Sequence, residues 1–265
     1  MILVPTDFSE IASAACDLAI RIAVSKNDPL HFIHCLRKGG QLTASEHQEV
    51  EHNLRMWKSK AEEAGAQASL EVIRGNLIEK LSDLTEQKSS NLVVMGSHGI
   101  SGKEEYLIGS NTQKAIRKIE KPILVVKGTV SNFPFRNVVY ASSFEKRDEA
   151  DFMFFINWVK EYQPTIHLLA INTLSFFTQP AIIMQSAMDH YRELCRPLSC
   201  QTHFFRDINV EAGIRHFSEE NQIDLIAVSN SQKKPVKRLL SGSTVEFLVN
   251  HAERPVLSID GVSNK

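Results

Sequence analysis

Asn91-Leu92-Val93-Val94-Met95-Gly96-Ser97-His98-Gly99, nine further residues, and then Gly109-Ser110-Asn111 form the stretch from which the fold can be read. The apolar run Leu92 to Met95 has the length and composition of a buried strand, and it ends in glycine. Glycines at such a point let the backbone approach a bound oxyanion and turn unpaired N–H groups inward as a nest. Gly109-Ser110 stands where a helix over Asn111 to Ile119 is expected to begin, so free N–H groups and a positive dipole end face the same space. Generic phosphate motifs do not fit this stretch. Gly102-Lys103 resembles the end of a Walker loop, but Ser97 stands where the first glycine is required and Glu104 where Ser or Thr is required. The three-residue spacing of Gly96, Gly99 and Gly102 is not the dinucleotide fingerprint either.

Outward from that stretch, apolar β-rich runs alternate with helical periodicity. Strands are expected at Ile2 to Val4, Leu30 to Leu36, Leu70 to Ile73, Leu92 to Met95 and Ile123 to Val126. Between them, Ile11, Ala14, Ala15, Leu18 and Ile22 recur at helical spacing, His47 to Ala64 forms a polar amphipathic helix, and Leu77 to Gln87 another. The alternation implies an α/β fold with a parallel sheet and right-handed crossovers, and such sheets bind ligands beyond the carboxyl ends of their strands. Pro5-Thr6-Asp7, Cys35 and Gly96 all lie at those ends, so one shared crevice is expected.

The pattern then repeats. Asn91-Leu-Val-Val-Met-Gly is matched by Asp224-Leu-Ile-Ala-Val-Ser, Gly109-Ser110 by Gly242-Ser243, and Lys121-Pro-Ile-Leu-Val-Val by Arg254-Pro-Val-Leu-Ser-Ile. The offset is constant, since 242 − 109 and 255 − 122 both equal 133. Asn137-Val-Val-Tyr140 restarts the opening strand after a turn-rich stretch, which divides the chain into a first domain at 1–128, a linker at 129–133 and a second domain at 134–265. A chain of 265 residues suits two such domains, and 43% hydrophobic residues can fill their cores.

Composition excludes several function classes. Thirty Lys plus Arg against 31 Asp plus Glu leave a formal charge of −1 with no long basic run, which argues against a nucleic-acid groove. Met1 leads straight into Ile2-Leu3-Val4, leaving no room for a signal peptide, and no apolar run approaches about 18 residues, so a cytoplasmic protein without a membrane span is expected. Cys16, Cys35, Cys195 and Cys200 are too few and too scattered for a disulfide framework, and free thiols are expected.

The spacing Gly-x2-Gly-x9-Gly-Ser resembles the ATP-binding signature of the universal stress protein family. Val4-Pro5-Thr6-Asp7-Phe8-Ser9, His34-Cys35 and Lys121-Pro122-Ile123-Leu124-Val125-Val126 agree with that family, and the resemblance covers all of the first half. It implies two tandem doubly wound domains of the adenine nucleotide alpha hydrolase-like type, each a five-stranded parallel sheet in the order 3-2-1-4-5. It implies ATP as ligand, with Mg²⁺ as its natural companion, held by Pro5, Thr6, Asp7, Cys35, Met95, Gly96, His98, Gly99, Gly109, Ser110 and Asn111. Asp7 would lie beside the adenosine, and Cys35 would contact adenine through its backbone. The resemblance also implies that a tandem chain supplies its own unit-to-unit pair, with Ile123 to Val126 and Val256 to Ile259 adjacent; dimerisation of whole chains stays open.

Each candidate has a second reading. Asp7-Phe8-Ser9-Glu10 has the shape of a capping box, so the Asp7 carboxylate could cap the first helix. Ser110 could cap its own helix or donate to a phosphate oxygen. Gly96, Gly99 and Gly109 could be ordinary loop glycines with positive φ. Lys103 and Lys114 are candidate phosphate counter-charges, though a solvated lysine is commoner. His47 and His52 fall on different sides of a helix and His31 and His34 on opposite faces of a strand, so no metal site is expected. His98 could touch phosphate, but no partner carboxylate or nucleophile is identifiable beside it. Phe176, Phe177, Ile182, Ile183, Met184, Ala187, Met188 and Tyr191 have helical apolar spacing and are expected in the core.

The second domain departs from the pattern. Ser229 and Gln232 replace Gly96 and Gly99, Pro235 follows, and Ser143 replaces Asp7. One nucleotide per chain is therefore expected, with the second domain as a structural partner. Three function classes follow: an ATP-binding regulatory module, a slow ATPase or nucleotide hydrolase, and a nucleotide-independent interaction protein. Hydrolysis needs a base and usually Mg²⁺, for which Glu104 and Glu105 are the only nearby carboxylates in the loop.

Overall fold

A computed structural model describes residues 1–36, 43–87, 90–98, 108–173, 181–229 and 244–259. The chain divides into two compact units, Met1–Val130 and Ser131–Lys265. In the first, the order is β1 (Ile2–Pro5), α1 (Glu10–Lys26), β2 (Leu30–Leu36), α2 (Ala44–Glu63), β3 (Ala68–Arg74), α3 (Leu77–Gln87), β4 (Leu92–Gly96), α4 (Ser110–Lys118) and β5 (Ile123–Val126). All strand pairs are parallel, and they run β3-β2-β1-β4-β5. The chain reverses direction across the sheet between β1 and β4, and this switch point lies above the ends of the two strands that carry Pro5 and Gly96.

The strands beside the switch point are buried from Ile2 to Pro5 and from Leu92 to Met95, as a parallel sheet covered on both faces requires. At the outer end of the order, β3 buries only Ile73 fully. Helix α1 fits against the sheet because its inner face is small, with Ala12, Ala15, Ala19 and Ala23 alternating with Leu18 and Ile22, all buried. Its ends are well specified. The Ser9 side chain accepts from the Ala12 N–H at the N-cap, and Asn27 closes the C-terminus in the left-handed region at φ 50°. Thr43 and Glu46 form a reciprocal capping box at the start of α2.

The second unit has the same plan: β6 (Asn137–Ala141), a 3-10 turn (Lys146–Asp148), α5 (Glu149–Val159), β7 (Thr165–Asn172), α6 (Ala181–Leu194), β8 (Cys200–Arg206), α7 (Val210–Glu220), β9 (Leu225–Ser229), α8 (Thr244–His251) and β10 (Val256–Ile259). Its parallel order is β8-β7-β6-β9-β10, the counterpart of the first. The core here is aromatic: Tyr140, Phe144, Phe152, Phe155 and Tyr191 pack ring to ring. One expectation fails in α6. Met188 and Tyr191 are buried, but Ile182 is 79% and Ile183 54% exposed, because only the second half of the helix faces the sheet. Phe176 and Phe177 lie outside the described residues.

Candidate functional site

Above the carboxyl ends of β1, β2 and β4 in the first unit is a crevice of ≈ 690 Å³, within the range of about 300–1,000 Å³ common for small-ligand sites. Its wall contains Pro5, Thr6, Asp7, Cys35, Met95, Gly96, His98, Gly109, Ser110 and Asn111. Gly99, Lys103, Glu104 and Glu105 lie outside the described residues. Sequence reasoning did not include Ala12, Ile33, Gly75, Asn76, Leu77, Glu79 and Thr112, which complete the wall together with Lys114. Asn76 and Leu77 enter because the β3–α3 connection ends at the same rim, and an Asn directly before a helix was the available signal. The Asn76 Oδ1 accepts from the Ile78 N–H at 3.1 Å, and its amide donates to Glu79 at 2.9 Å.

The first strand delivers Thr6 and Asp7 in a strained turn. Phe8 adopts φ 64°, and its N–H donates to the Thr6 Oγ1 at 3.1 Å. Phe144 repeats this turn at φ 54°, its N–H donating to the Ser142 Oγ at 2.9 Å, so the device belongs to the fold and not to one unit's ligand. In the first unit His34 braces the turn: its Nδ1–H donates to the Thr6 carbonyl at 2.9 Å and its ring stacks on Phe8 at 4.6 Å. The Asp7 carboxylate accepts from the Ser9 N–H at 3.2 Å, while the α1 cap itself is Ser9. The capping-box reading of Asp7 is thereby corrected: Ser9 caps α1 by a single side-chain bond, and Ala12 at the third helical position has no side-chain acceptor to complete a box.

Both described loop glycines are required by close packing, not by positive φ, which corrects the second reading above. A Cβ on Gly96 would stand 3.0 Å from Ile11 Cγ2 and 3.2 Å from the Ala12 nitrogen, so this glycine lets the end of β4 pass beneath the first turn of α1. A Cβ on Gly109 would stand 3.0 Å from the His98 Cα, where two backbones meet. The Gly109 N–H donates to the Ser97 carbonyl at 2.8 Å, and the Thr112 hydroxyl to the Gly96 carbonyl at 2.8 Å. Helix α4 is thus tied at two points to the end of β4.

Gly109, at φ −62° and ψ 144°, is the N-cap of α4, and Ser110 is its first helical residue. Ser110 therefore does not cap its helix. No side chain among the described residues does, and the first turn carries no acidic residue. Helices α1 and α2 have both a capping side chain and an early glutamate. The uncompensated N–H groups and positive end of α4 open onto the crevice, with Lys114 on the same wall.

Burial pushes the Cys35 thiol up, away from nucleophilic thiolate. Ser97 Oγ and His98 Nδ1 are 3.0 Å apart, a contact that spacing alone did not suggest. Ser97 is only 1% exposed, so this contact orients the imidazole and does not present a hydroxyl to a substrate. Among the described residues no group of three or more His, Cys, Asp or Glu could hold a metal ion. No described helix is long and apolar enough to cross a membrane.

The counterpart in the second unit is smaller, ≈ 200 Å³, and lies among Ser142, Ser143, Met184, Ile214, Ser229, Thr244 and apolar neighbours. Ser229, at the position of Gly96, donates to the fully buried Asp151 at 2.7 Å, and Ser142 donates to the fully buried Asp148 at 2.8 Å. Asp148 and Asp151 thus stand behind this wall, whereas Gly96 of the first unit packs against Ile11 and Ala12. Gln232, Pro235, Gly242 and Ser243 lie outside the described residues.

Comparison with known proteins agrees with this geometry. The chain matches the model of the universal stress protein family over residues 1–127 and 198–259. It is 30% identical over 137 residues to universal stress protein MJ0531 of Methanocaldococcus jannaschii, covering 48% of this chain and 81% of that protein. It is 28% identical over 143 residues to universal stress protein YxiE of Bacillus subtilis, covering 47% and 97%. A crystal structure of a universal stress protein from Archaeoglobus fulgidus is similar in fold, with TM-score 0.81 at 18% identity over 98% of both chains. The stretch between the two matched segments, residues 128–197, contains the carboxylate-bearing α5 and the helix α6. On both sequence and fold, the chain belongs to the universal stress protein family.

Proposed function

We infer that the first unit binds ATP and that the protein works as a nucleotide-dependent regulatory module with one site per chain. The carrying observation is α4: a helix with no capping side chain and no acid in its first turn, aimed at a crevice large enough for a nucleotide. Phosphate oxygens would accept from the N–H groups of Ser110, Asn111 and Thr112, with Lys114 nearby as counter-charge. Asp7 and the backbone at Cys35 lie further along the same crevice, where the adenosine would sit, and Pro5, Thr6, Met95, Gly96 and His98 complete its surroundings. Mg²⁺ would enter with the phosphates, since it is normally held by few carboxylates and the ligand itself. The binding reading is preferred to a hydrolase because the described wall has no nucleophile activated by a neighbouring base.

Thermal and chemical denaturation with and without Mg-ATP tests this reading. Ligand at about 100 times its dissociation constant should stabilise the protein by about 2.7 kcal/mol. Asp7→Ala should weaken binding of ATP and of adenosine alike, because the carboxylate is assigned to the nucleoside part. A protein whose denaturation is indifferent to ATP at millimolar concentration would refute the proposal. Product analysis after long incubation distinguishes the binding module from the slow hydrolase.

A further inference from the structure

Cys195 and Cys200 are separated by Arg196, Pro197, Leu198 and Ser199, a spacing that suggested no pairing, yet their sulfurs meet. The Cys195 thiol donates to the Cys200 sulfur at 2.8 Å, less than about 1 Å beyond a covalent S–S bond. Backbone hydrogen bonds hold both residues in place. The Cys195 N–H donates to Tyr191 and Arg192 at the end of α6, and the Leu198 N–H returns to the Cys195 carbonyl at 2.9 Å. Cys200 opens β8, paired in register with Ile166. The other two thiols are engaged differently: Cys16 is buried and hydrogen-bonded to Thr6, and Cys35 donates to the Gly75 carbonyl at 3.5 Å.

We propose that Cys195 and Cys200 are a reversible redox pair, oxidised by hydroperoxides to an intramolecular disulfide that joins the end of α6 to the start of β8. The exposures assign the roles. Cys195 is fully buried and Cys200 half-buried, so an oxidant reaches Cys200 first. Its thiolate attacks the O–O bond, one oxygen passes to sulfur to give a sulfenic acid, and water or alcohol leaves. The Cys195 sulfur then attacks the Cys200 sulfur, the S–O bond breaks, and the departing hydroxide takes the Cys195 proton as water. The two sulfurs lose two electrons and the peroxide gains them. A dithiol reductant reverses the step by exchange. Held as donor to Cys200, and by burial, the Cys195 thiol keeps its proton until that attack. The bond would fix the helix that carries Tyr191, whose hydroxyl donates to the Glu145 carbonyl at 2.7 Å, and Met184 on the wall of the second crevice.

The test uses the intact chain, graded hydrogen peroxide, alkylation of remaining thiols after denaturation, and tryptic mass mapping. Arg196 precedes proline and resists trypsin, so residues 193–206 carry both cysteines in one peptide. The expected product is that peptide about 2 Da lighter and unalkylated, with Cys16 and Cys35 still alkylated and dithiothreitol restoring all four sites. Cys195→Ala should let Cys200 accumulate as a sulfenic acid trapped by a 1,3-diketone, and Cys200→Ala should abolish both products. The proposal fails if wild-type Cys200 is recovered as sulfinic acid with Cys195 alkylated. It also fails if Cys35 is consumed at lower peroxide than the pair.

Discussion

At the scale of single residues, Gly96 shows how packing alone can require glycine at a motif position. Adding one methyl there brings a carbon to 3.0 Å from Ile11 and 3.2 Å from the Ala12 backbone. Overpacking of this kind costs about 1–3 kcal/mol, so Gly96→Ala should lower the unfolding free energy of the first unit, read from its urea transition, by that amount without any ligand present. A variant that lost only ATP affinity would contradict the packing role. A second residue-scale prediction concerns pH. His167 Nδ1 and His203 Nε2 lie 3.0 Å apart between β7 and β8, with Phe217 over both rings. Burial lowers both pKa values from 6.5, and the neighbouring His203 charge lowers that of His167 further. The unfolded chain therefore binds more protons than the folded one in this window, and stability rises with pH. Full stability is present above about pH 6.5 and is lost as pH falls from there through the lowered folded values. Denaturant midpoints measured between neutral and mildly acidic pH should decline on acidification, and His203→Phe should flatten that slope.

At the scale of elements, the proposed phosphate site sets helix stability against ligand binding in α4. Asn111 is exposed in its first turn, where a carboxylate would interact favourably with the dipole by about 0.3–1 kcal/mol. Asn111→Asp should therefore raise stability while placing a negative charge where phosphate is proposed, reducing ATP affinity by about tenfold or more. Titration calorimetry and denaturation together would show the opposite signs; equal signs would remove phosphate from α4. The same helix shows what was legible in the sequence. Elements whose periodicity is strong emerge with near-correct bounds: β2, α3 and β5 match the expected ranges, and the family's strand order holds in both units. Local polar chemistry was less legible, because several residues competed for each role. Asp7, Ser9 and Ser110 all have side chains suited to a cap, and only the turn geometry at Phe8 and the extended backbone of Gly109 decide among them. Asn76 and Glu79 were missed because the β3–α3 connection and the first turn of α3 carry no motif, and Thr112 because it follows the Gly109-Ser110 pair inside α4, where its hydroxyl bonds the Gly96 carbonyl.

At the scale of the whole molecule, the two units share a topology but differ in the polar groups behind their crevices. Asp148 and Asp151 are fully buried next to Ser142 and Ser229, where the first unit has apolar and backbone atoms. The Ser142 and Ser229 hydroxyls point their protons at these carboxyl groups, so they are not free to donate to a phosphate brought to that wall. The available space of ≈ 200 Å³ is also well below the ≈ 690 Å³ of the first unit. One nucleotide per chain is the expected stoichiometry. Amide hydrogen exchange with saturating Mg-ATP resolves the point by location, because a bound ligand slows opening of the segments that hold it. Protection should appear at the first turn of α4, at the end of β4 and around Asp7, whereas the ends of β6 and β9 and the first turn of α8 should exchange as in the nucleotide-free protein. Protection spread equally over Ser229 and Thr244 would mean that serine and buried carboxylate do not exclude phosphate here, and that the second unit is a binding site in its own right.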